Sequence, residues 1–225
     1  MRKRIEPHYT VDRQMLEAFV ALSEVMSVSC VVSDAQERQN VMKSYMKLRT
    51  TNRAFIGSAL TVKLTAGTLV DPLEVLERAE SGDVVVIDAL GETETSIWGG
   101  LMSGLARAAG IAGVVIDGAA RDIDESRMLD FPIVSRAVTP RGSQSAYTKI
   151  YDPIEINTEV SCGGLVVKPG DMVVADEMGV TVVPRENLSE VYGKAKELAE
   201  QEEKTRTEIL KGATFQELLE KFGRI

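Results

Sequence analysis

Residues 82–122 read GDVVVIDALGETETSIWGGLMSGLARAAGIAGVVIDGAARD, and this stretch decides the fold. Its two runs of valine and isoleucine, residues 84–87 and 114–116, lack the polar alternation of a half-exposed strand. Such runs are typical of short strands buried on both faces of a parallel sheet. Between them, apolar side chains recur with the spacing of an amphipathic helix that ends at Gly110: Trp98, Leu101, Met102, Leu105, Ala106 and Ala109. This order of strand, helix and strand predicts a βαβ unit.

The flanking sequence predicts further helices and strands around this unit. Helices are predicted over 11–26, 71–79 (opened by Asp71-Pro72), 124–129, 186–210 and 214–222. Strands are predicted over 56–64, 132–138 and, between glycine turns, 154–156, 165–167, 172–174 and 180–183. Residues 28–32 are ambiguous and could form a short strand. Because neither a repeat nor a linker separates these elements, we interpret residues 1–225 as a single domain.

Composition limits the classes of function. The formal net charge is −8, and an acidic surface repels phosphate backbones, so we expect no nucleic-acid partner. The sequence has no apolar run long enough to cross a membrane, and no apolar stretch follows its basic first residues, so neither a span nor a signal peptide is expected. Cys30 and Cys162 show no metal spacing, which favours two core thiols in the reducing cytoplasm.

Histidine usage narrows the chemistry further. His8 is the only histidine, and it lies near a terminus that we expect to be mobile. Catalytic triads, cysteine–histidine pairs and histidine-rich zinc sites are therefore disfavoured. Any bound metal would have oxygen ligands from the protein, which favours magnesium, manganese or calcium.

The predicted βαβ unit brings two loops to one edge of the sheet, because the carboxyl ends of parallel strands meet there. The first loop, residues 89–97, leads into a helix whose opening turn contains Gly99 and Gly100. Glycine there leaves backbone N–H groups open to a ligand, and the partial positive charge of a helix start suits a carboxylate or phosphate. The alternative is that these glycines only permit close packing against Trp98 or another neighbour.

The second loop, residues 117–122, ends in the pair Arg121-Asp122. Arginine offers a planar set of donors that matches a carboxylate, and aspartate offers a hard oxygen ligand for a divalent metal. The alternative is an ordinary surface arginine followed by a helix-capping aspartate. The position of the pair opposite an anion-binding helix start makes it the best candidate for a site.

These motifs resemble a known family. The residues concerned are Gly82-Asp83 with the strand to Asp88, Trp98-Gly99, and the segment Gly110 to Asp122 with its Gly-x₄-Gly-x₂-Arg-Asp pattern. They look like the signature of the family that joins the regulator of ribonuclease activity A to the 4-hydroxy-4-methyl-2-oxoglutarate aldolases. The similarity covers residues 55–185 well and continues through Phe131-Pro132, Pro140-Arg141-Gly142, Gly163-Gly164, Pro169-Gly170-Asp171, Val174-Ala175-Asp176 and Gly179-Val180.

The resemblance implies a fold and an assembly. It implies an α/β protein, a three-layer β/β/α domain of the swivelling type with a central βαβ unit and a C-terminal helix, assembled as a homotrimer or hexamer. Some relatives carry the label of demethylmenaquinone methyltransferase. This sequence has no glycine-rich cofactor loop of the usual methyltransferase kind, so we do not expect that activity.

The resemblance also implies a reaction and site residues. The reaction is metal-dependent cleavage of a 4-hydroxy-2-oxo acid, or decarboxylation of oxaloacetate, and both release pyruvate. By this resemblance Asp122 binds Mg²⁺ or Mn²⁺, Arg121 contacts the pyruvate unit as the catalytic cation, and the amides of Gly100, Leu101 and Met102 hold the carboxylate of the small 2-oxo acid. Both reactions require the enolate of pyruvate to be stabilised as a carbon–carbon bond breaks.

One departure from the family pattern affects the chemistry. The aldolases carry an acidic residue at the position of Gly100, where it helps to hold metal-bound water. Glu92 or Glu94 in the preceding loop could supply a carboxylate instead. A glutamate from a neighbouring subunit is also implied, and the nearest matches are Glu202 and Glu203. The alternative function is a non-catalytic protein-binding regulator of a ribonuclease, for which the acidic surface suits a basic partner.

Overall fold

The computed structural model describes residues 4–51, 53–65, 72–143 and 154–223. Within them the strands are β1 (Arg4–Ile5), β2 (Lys47–Leu48), β3 (Phe55–Lys63), β4 (Asp83–Asp88), β5 (Gly113–Ala120), β6 (Ile133–Val138), β7 (Glu155–Ile156), β8 (Val160–Cys162), β9 (Leu165–Val167), β10 (Met172–Ala175) and β11 (Val180–Val183). The α-helices are α1 (Arg13–Ala21), α2 (Val28–Ala35), α3 (Gly100–Ala108), α4 (Ile123–Met128), α5 (Leu188–Leu210) and α6 (Phe215–Phe222). Short 3₁₀ helices span Leu22–Glu24, Leu73–Glu77 and Arg185–Asn187.

Parallel strands form the centre of the sheet, in the order β3-β4-β5-β6. The βαβ prediction is confirmed, since β4 and β5 pair in parallel with Asp88 beside Asp117 and α3 connects them. Shorter strands extend the sheet on both sides: β10 and β7 pair antiparallel with β3, and β2 pairs antiparallel with β6. The carboxyl ends of β4 and β5 therefore lie side by side.

Alternate side chains of the central strands bury two different cores. On one face, Val85 and Ile87 pack with Trp98 and Met102 from the α3 region. On the other face, Val84 and Val86 pack with side chains of the β8–β9 hairpin, Val160, Cys162 and Val167. A helical layer, the central sheet and a small second sheet thus lie on top of one another, and the α/β fold class is confirmed.

A third core lies under the long C-terminal helix. Side chains of α1, α2 and α5 pack there against β3, β10 and β11. The helices contribute Phe19, Val31 and Val191, and the strands contribute Ile56 and Val174. The predicted helices over 11–26, 186–210 and 214–222 are confirmed by α1, α5 and α6. The suggested strand over 28–32 is wrong, because Val28, Val31 and Val32 have helical spacing and bury one face of α2.

The remaining differences from the sequence predictions are local. The helix predicted over 71–79 is a 3₁₀ helix, Leu73–Glu77, and Asp71 lies outside the described residues. Strands β1, β2 and β8 are missing from the predictions, and β5 continues to Ala120 instead of ending at Ile116. Cys162 is a core residue as expected, but Cys30 is exposed on α2.

A matched pair of glycine substitutions tests the packing of the sheet. A Cβ on Gly57 would collide with the backbone oxygen of Gly82 and lie 2.9 Å from Cγ2 of Val84. We expect Gly57→Ala to lower the free energy of unfolding by about 1–3 kcal/mol. Gly193 in α5 has open space at its Cβ position, so Gly193→Ala should raise this free energy by up to about 1 kcal/mol. Urea unfolding measures both, and equal effects would contradict this account of β3.

Candidate functional site

The loop before α3 is hydrogen-bonded to the end of β5. The Ile97 amide donates to the Ala119 carbonyl over 3.2 Å, and the Arg121 amide donates to the Trp98 carbonyl over 2.9 Å. The Ser96 amide also donates to the Arg141 carbonyl over 2.7 Å, which adds the segment after β6 to the same edge. The two loops predicted to converge therefore meet at the carboxyl edge of the sheet.

Asp122 begins α4 but does not cap it with its side chain. Its backbone is left-handed, with φ 51° and ψ 43°, a conformation that aspartate tolerates better than most residues. Its side chain makes no hydrogen bond to the first turn of α4. Instead, Oδ2 accepts the N–H of Gly100 over 3.1 Å, across to the start of α3. The capping interpretation is thereby excluded, and the carboxylate faces the neighbouring helix.

Arg121 lies beside this carboxylate at the surface. Its Nε is 3.6 Å from Oδ2 of Asp122, and the two side chains are 43% and 44% exposed. The guanidinium passes close to Gly142, where a Cβ would lie 2.6 Å from Nη1. The charged end of Arg121 is thus held over one carboxylate while part of it remains open to an anion from solvent.

Charged side chains occupy the space beside Gly99 and Gly100. A Cβ on Gly99 would lie 2.6 Å from Oδ2 of Asp122 and 3.2 Å from Nε of Arg121. A Cβ on Gly100 would collide with the carboxylate of Glu125. The close packing is therefore against the charged side chains of the second loop and α4.

The first turn of α3 offers backbone donors at the same place. Helix geometry leaves the first N–H groups without intrahelical acceptors, and the Gly100 N–H is taken by Asp122. Those of Leu101 and Met102 follow directly. Leu101 has an 82% exposed side chain, whereas Met102 is buried in the core, so the turn is anchored on one side and open on the other.

A buried hydroxyl network fixes the start of α3 against α4. Trp98 Nε1 donates to Ser103 Oγ over 3.0 Å, and this hydroxyl lies 3.1 Å from the Gly99 carbonyl. Ser103 Oγ is also 2.9 Å from Ser126 Oγ in α4, and the Trp98 ring stacks on Phe131 with centroids 6.2 Å apart. This network positions the backbone that carries both glycines.

Two further aspartates at this edge have structural partners. Asp117 accepts from Arg136 Nε over 2.6 Å and from the Gly163 amide over 2.9 Å. Asp88 accepts from the amides of Leu90 and Ser161 over 3.0 and 3.3 Å. Both carboxylates are buried, and they fix loops to the sheet.

The remaining nucleophile and base candidates lie elsewhere or are inactive. His8 packs against the sheet: its Nε2 is 2.9 Å from Asp83 Oδ2 at the amino end of β4, the edge opposite Arg121. Burial raises the pKa of the Cys162 thiol well above its ordinary value, and nearby Asp117 raises it further. Cys30 reaches the surface, but partial desolvation and the charge of Asp176 also raise the pKa of its thiol. Both shifts favour the thiol over the reactive thiolate.

The glutamates suggested by the sequence are engaged within their own segments. Glu92 accepts from the Glu94 amide over 2.6 Å in the loop after β4. Glu202 and Glu203 pair with Arg206 over 2.6 and 3.3 Å on α5. The carboxylate that the fold does bring to the α3 start is that of Glu125, which the sequence analysis missed. Its signal was the spacing Asp122-x-x-Glu125, which is typical of a helix-capping pair.

The residues present fit a divalent cation that keeps part of its water shell. Mg²⁺ is commonly bound through one or two carboxylates together with waters and substrate oxygens, and Asp122 offers one carboxylate beside the start of α3. Among the described residues, no group of three or more histidine, cysteine, aspartate or glutamate side chains could hold a metal. A cleft of about 520 Å³ exists near Asp176 and Arg53, but it does not include Arg121 or Asp122.

Fold and site together define an α/β protein with an arginine–aspartate pair at the carboxyl edge of a parallel sheet. The chain belongs to the RraA-like family, whose model, described as Aldolase/RraA, matches residues 29–182. A Halalkalibacterium halodurans protein named "Putative 4-hydroxy-4-methyl-2-oxoglutarate aldolase" is 38% identical over 178 residues, 79% of this chain and 82% of that protein. The resemblance inferred from the sequence motifs is confirmed.

Solved structures share the fold. Streptomyces coelicolor RraAS2, described as an unusual member of the RNase ES inhibitor RraA protein family, has a TM-score of 0.73 and 25% identity, over 88% of this chain and all of that one. An uncharacterized protein from Pseudomonas syringae has a TM-score of 0.76 at 24% identity, over 93% and 99% of the two chains. The second likeness concerns the fold alone. No helix in the described part of the chain is both long and apolar enough to cross a bilayer.

Removing the Ser103 hydroxyl tests the network behind the site. In Ser103→Ala, the buried Trp98 Nε1 loses its acceptor, so we expect the free energy of unfolding to fall by about 1–3 kcal/mol. Trp98 is the only tryptophan, so its fluorescence reports the change at this position and follows urea unfolding. Ser189→Ala, at an exposed position of α5, is the control. Equal stability of the two variants would refute the structural role of the network.

Proposed function

We propose that this protein is a lyase that uses Mg²⁺ or Mn²⁺ and releases pyruvate from a small 2-oxo acid. The reaction is retro-aldol cleavage of a 4-hydroxy-2-oxo acid such as 4-hydroxy-4-methyl-2-oxoglutarate, or decarboxylation of oxaloacetate. The observation that carries the proposal is the Asp122 carboxylate, which lies between the Arg121 guanidinium and the Gly100 N–H at the start of α3. The named aldolase relative supports the same reaction class.

The start of α3 and Arg121 would bind the pyruvate unit. The N–H groups of Leu101 and Met102 point along the helix axis toward its start and suit the substrate carboxylate. The role of Gly100 in that contact stays a prediction, since its N–H donates to Asp122. The exposed part of the Arg121 guanidinium would pair with the substrate's 2-oxo oxygen and carboxylate.

Arg121 would also favour the transition state over the bound substrate. As the bond between C3 and C4 breaks, its electrons move into an enolate and negative charge grows on the 2-oxo oxygen. A guanidinium placed at that oxygen interacts more strongly as the charge develops, which lowers the barrier. Asp122 would hold the divalent cation, which supplies Lewis-acid stabilisation of the same enolate when bound.

The exposure of the site is consistent with closure by another subunit. Arg121 and Asp122 are each more than two-fifths exposed in a single chain, and enolate chemistry proceeds best where water is excluded. We therefore propose a homotrimer or hexamer in which a neighbouring subunit covers this edge. A cytoplasmic location, suggested by cysteines that form no disulfide, belongs to the same proposal.

The central test is metal-dependent release of pyruvate. The purified protein with Mg²⁺ or Mn²⁺ is expected to form pyruvate from 4-hydroxy-4-methyl-2-oxoglutarate or oxaloacetate, and chelation should stop it. Asp122→Ala should abolish turnover because the cation loses its carboxylate. Arg121→Gln should lower kcat by about 10²–10³-fold, the usual effect of losing one group that stabilises an oxyanion.

Asp124→Asn is the matched control for these variants. Asp124 is exposed on α4, two residues from Asp122, and its charge loss should leave both activities within about twofold of the unmodified protein, as is usual for surface substitutions away from a site. A wild-type protein that releases no pyruvate from either compound with either metal would refute the lyase proposal.

A second candidate function is binding of a protein partner, as in the ribonuclease regulators of this family. The observation that favours it is an exposed apolar surface on α3 and α4, where Leu101, Leu105 and Met128 are 82%, 56% and 81% exposed. Exposed apolar patches of this kind mark interaction surfaces. Inhibition of a purified ribonuclease E-type enzyme, lost in Leu105→Ser and combined with no lyase activity, would favour this candidate over the first.

A further inference from the structure

We propose that Glu125 is the proton acceptor of the retro-aldol step and takes the place of a side chain that position 100 lacks. The proposal rests on the lyase function above and goes beyond it by assigning the base. In this chain, a carboxylate reaches the start of α3 from α4 instead of from α3 itself. The observation behind the proposal is the closeness of the Glu125 carboxylate to Gly100.

The geometry places Glu125 where a residue-100 side chain would begin. The ideal Cβ position of Gly100 lies inside contact distance of the Glu125 carboxylate, and its distance to Glu125 Cγ is 2.9 Å. At the preceding glycine, Gly99, the ideal Cβ position is 2.6 Å from Oδ2 of Asp122. Glu125 and Asp122 therefore lie over adjacent residues of one helix start. A substrate bound by the α3 amides and by Arg121 would have both within reach.

The Glu125 carboxylate is also free of structural hydrogen bonds among the described residues. Within the part of the chain that the structure describes, Asp88, Asp117, Glu92 and Glu202 each accept a hydrogen bond from their surroundings. No hydrogen bond or ion pair engages Glu125 there. His8 lies at the opposite edge of the sheet, so the base candidates at this edge are carboxylates. Asp122 is oriented by Gly100 N–H and Arg121, so Glu125 is the carboxylate left to move a proton.

The step balances without any further reactant. The 4-hydroxyl proton passes to the Glu125 carboxylate, and the oxygen–carbon bond at C4 becomes a carbonyl. The C3–C4 bond breaks, and its electron pair forms the C2–C3 double bond of the enolate. Glu125 then returns the proton to C3, which gives pyruvate and a second carbonyl compound. Decarboxylation of oxaloacetate breaks the bond to a carboxylate and has no hydroxyl proton to remove, so its bond-breaking step needs no such base.

Comparison of the two reactions tests the assignment. Glu125→Gln should lower kcat for cleavage of 4-hydroxy-4-methyl-2-oxoglutarate by about 10²-fold or more, the typical contribution of a general base. Oxaloacetate decarboxylation should fall by less than about threefold. Affinity for oxalate, a mimic of the pyruvate enolate, measured by calorimetry with Mn²⁺, should stay within about threefold because Arg121 and the amides are intact. Asp124→Asn is the control for charge loss on α4.

A carboxylate exchange gives a second, independent test. Gly100→Asp alone should lose cleavage activity, because the new Cβ displaces the Glu125 carboxylate. Gly100→Asp combined with Glu125→Ala removes the collision and returns one carboxylate to the same place, so cleavage should recover at least about tenfold relative to Glu125→Ala. Thermal unfolding of each variant separates loss of the base from loss of the fold.

The outcomes distinguish this inference from the lyase proposal. Equal loss of both activities in Glu125→Gln, unchanged cleavage in that variant, or no recovery in a folded double variant would each overturn the base assignment while leaving the lyase in place. Absence of both activities in the unmodified protein would overturn the lyase, and the base assignment with it.

Discussion

The hydrogen bond from the Gly100 amide to the Asp122 carboxylate organises the site. It joins the starts of two helices that follow different strands, and it draws the Asp122 side chain away from the first turn of its own helix. Asp122 accepts a left-handed backbone to make it, a conformation that is unfavourable for most residues with a side chain. Arg121, the two glycines and Glu125 all take their positions around this contact.

Behind this contact, the parallel sheet fixes where the two helices begin. The runs of valine and isoleucine in β4 and β5 are buried on both faces, so a one-residue shift in strand register would move each side chain into the opposite core. Trp98 and Ser103 transmit that rigidity to the first turn of α3. The charged side chains of Arg121 and Asp122 are thereby held in a defined geometry. Preorganised stabilisation of an enolate requires such a geometry.

The sequence predicted the parts of the fold that depend on periodicity and left the rest open. The βαβ unit and the long C-terminal helix follow from spacing that spans many residues. Residues 28–32 do not, because three valines in five residues suit a strand or a helix until the packing partner is known. The convergence of Gly100 and Arg121 was predictable from parallel pairing. Glu125 was not, because its approach to Gly100 depends on how α4 lies against α3.

The glycine pair at the start of α3 also bears on how functional groups are recognised among related proteins. Side chains from two neighbouring helices can reach the same few ångströms of space. An acidic group at that place can therefore come from either helix without a change in the chemistry. A sequence alignment would then show the loss of an acidic residue at one position and the gain of an acidic residue at another, with no link between the two. Spatial superposition of charged atoms, blind to residue order, is the comparison suited to such exchanges.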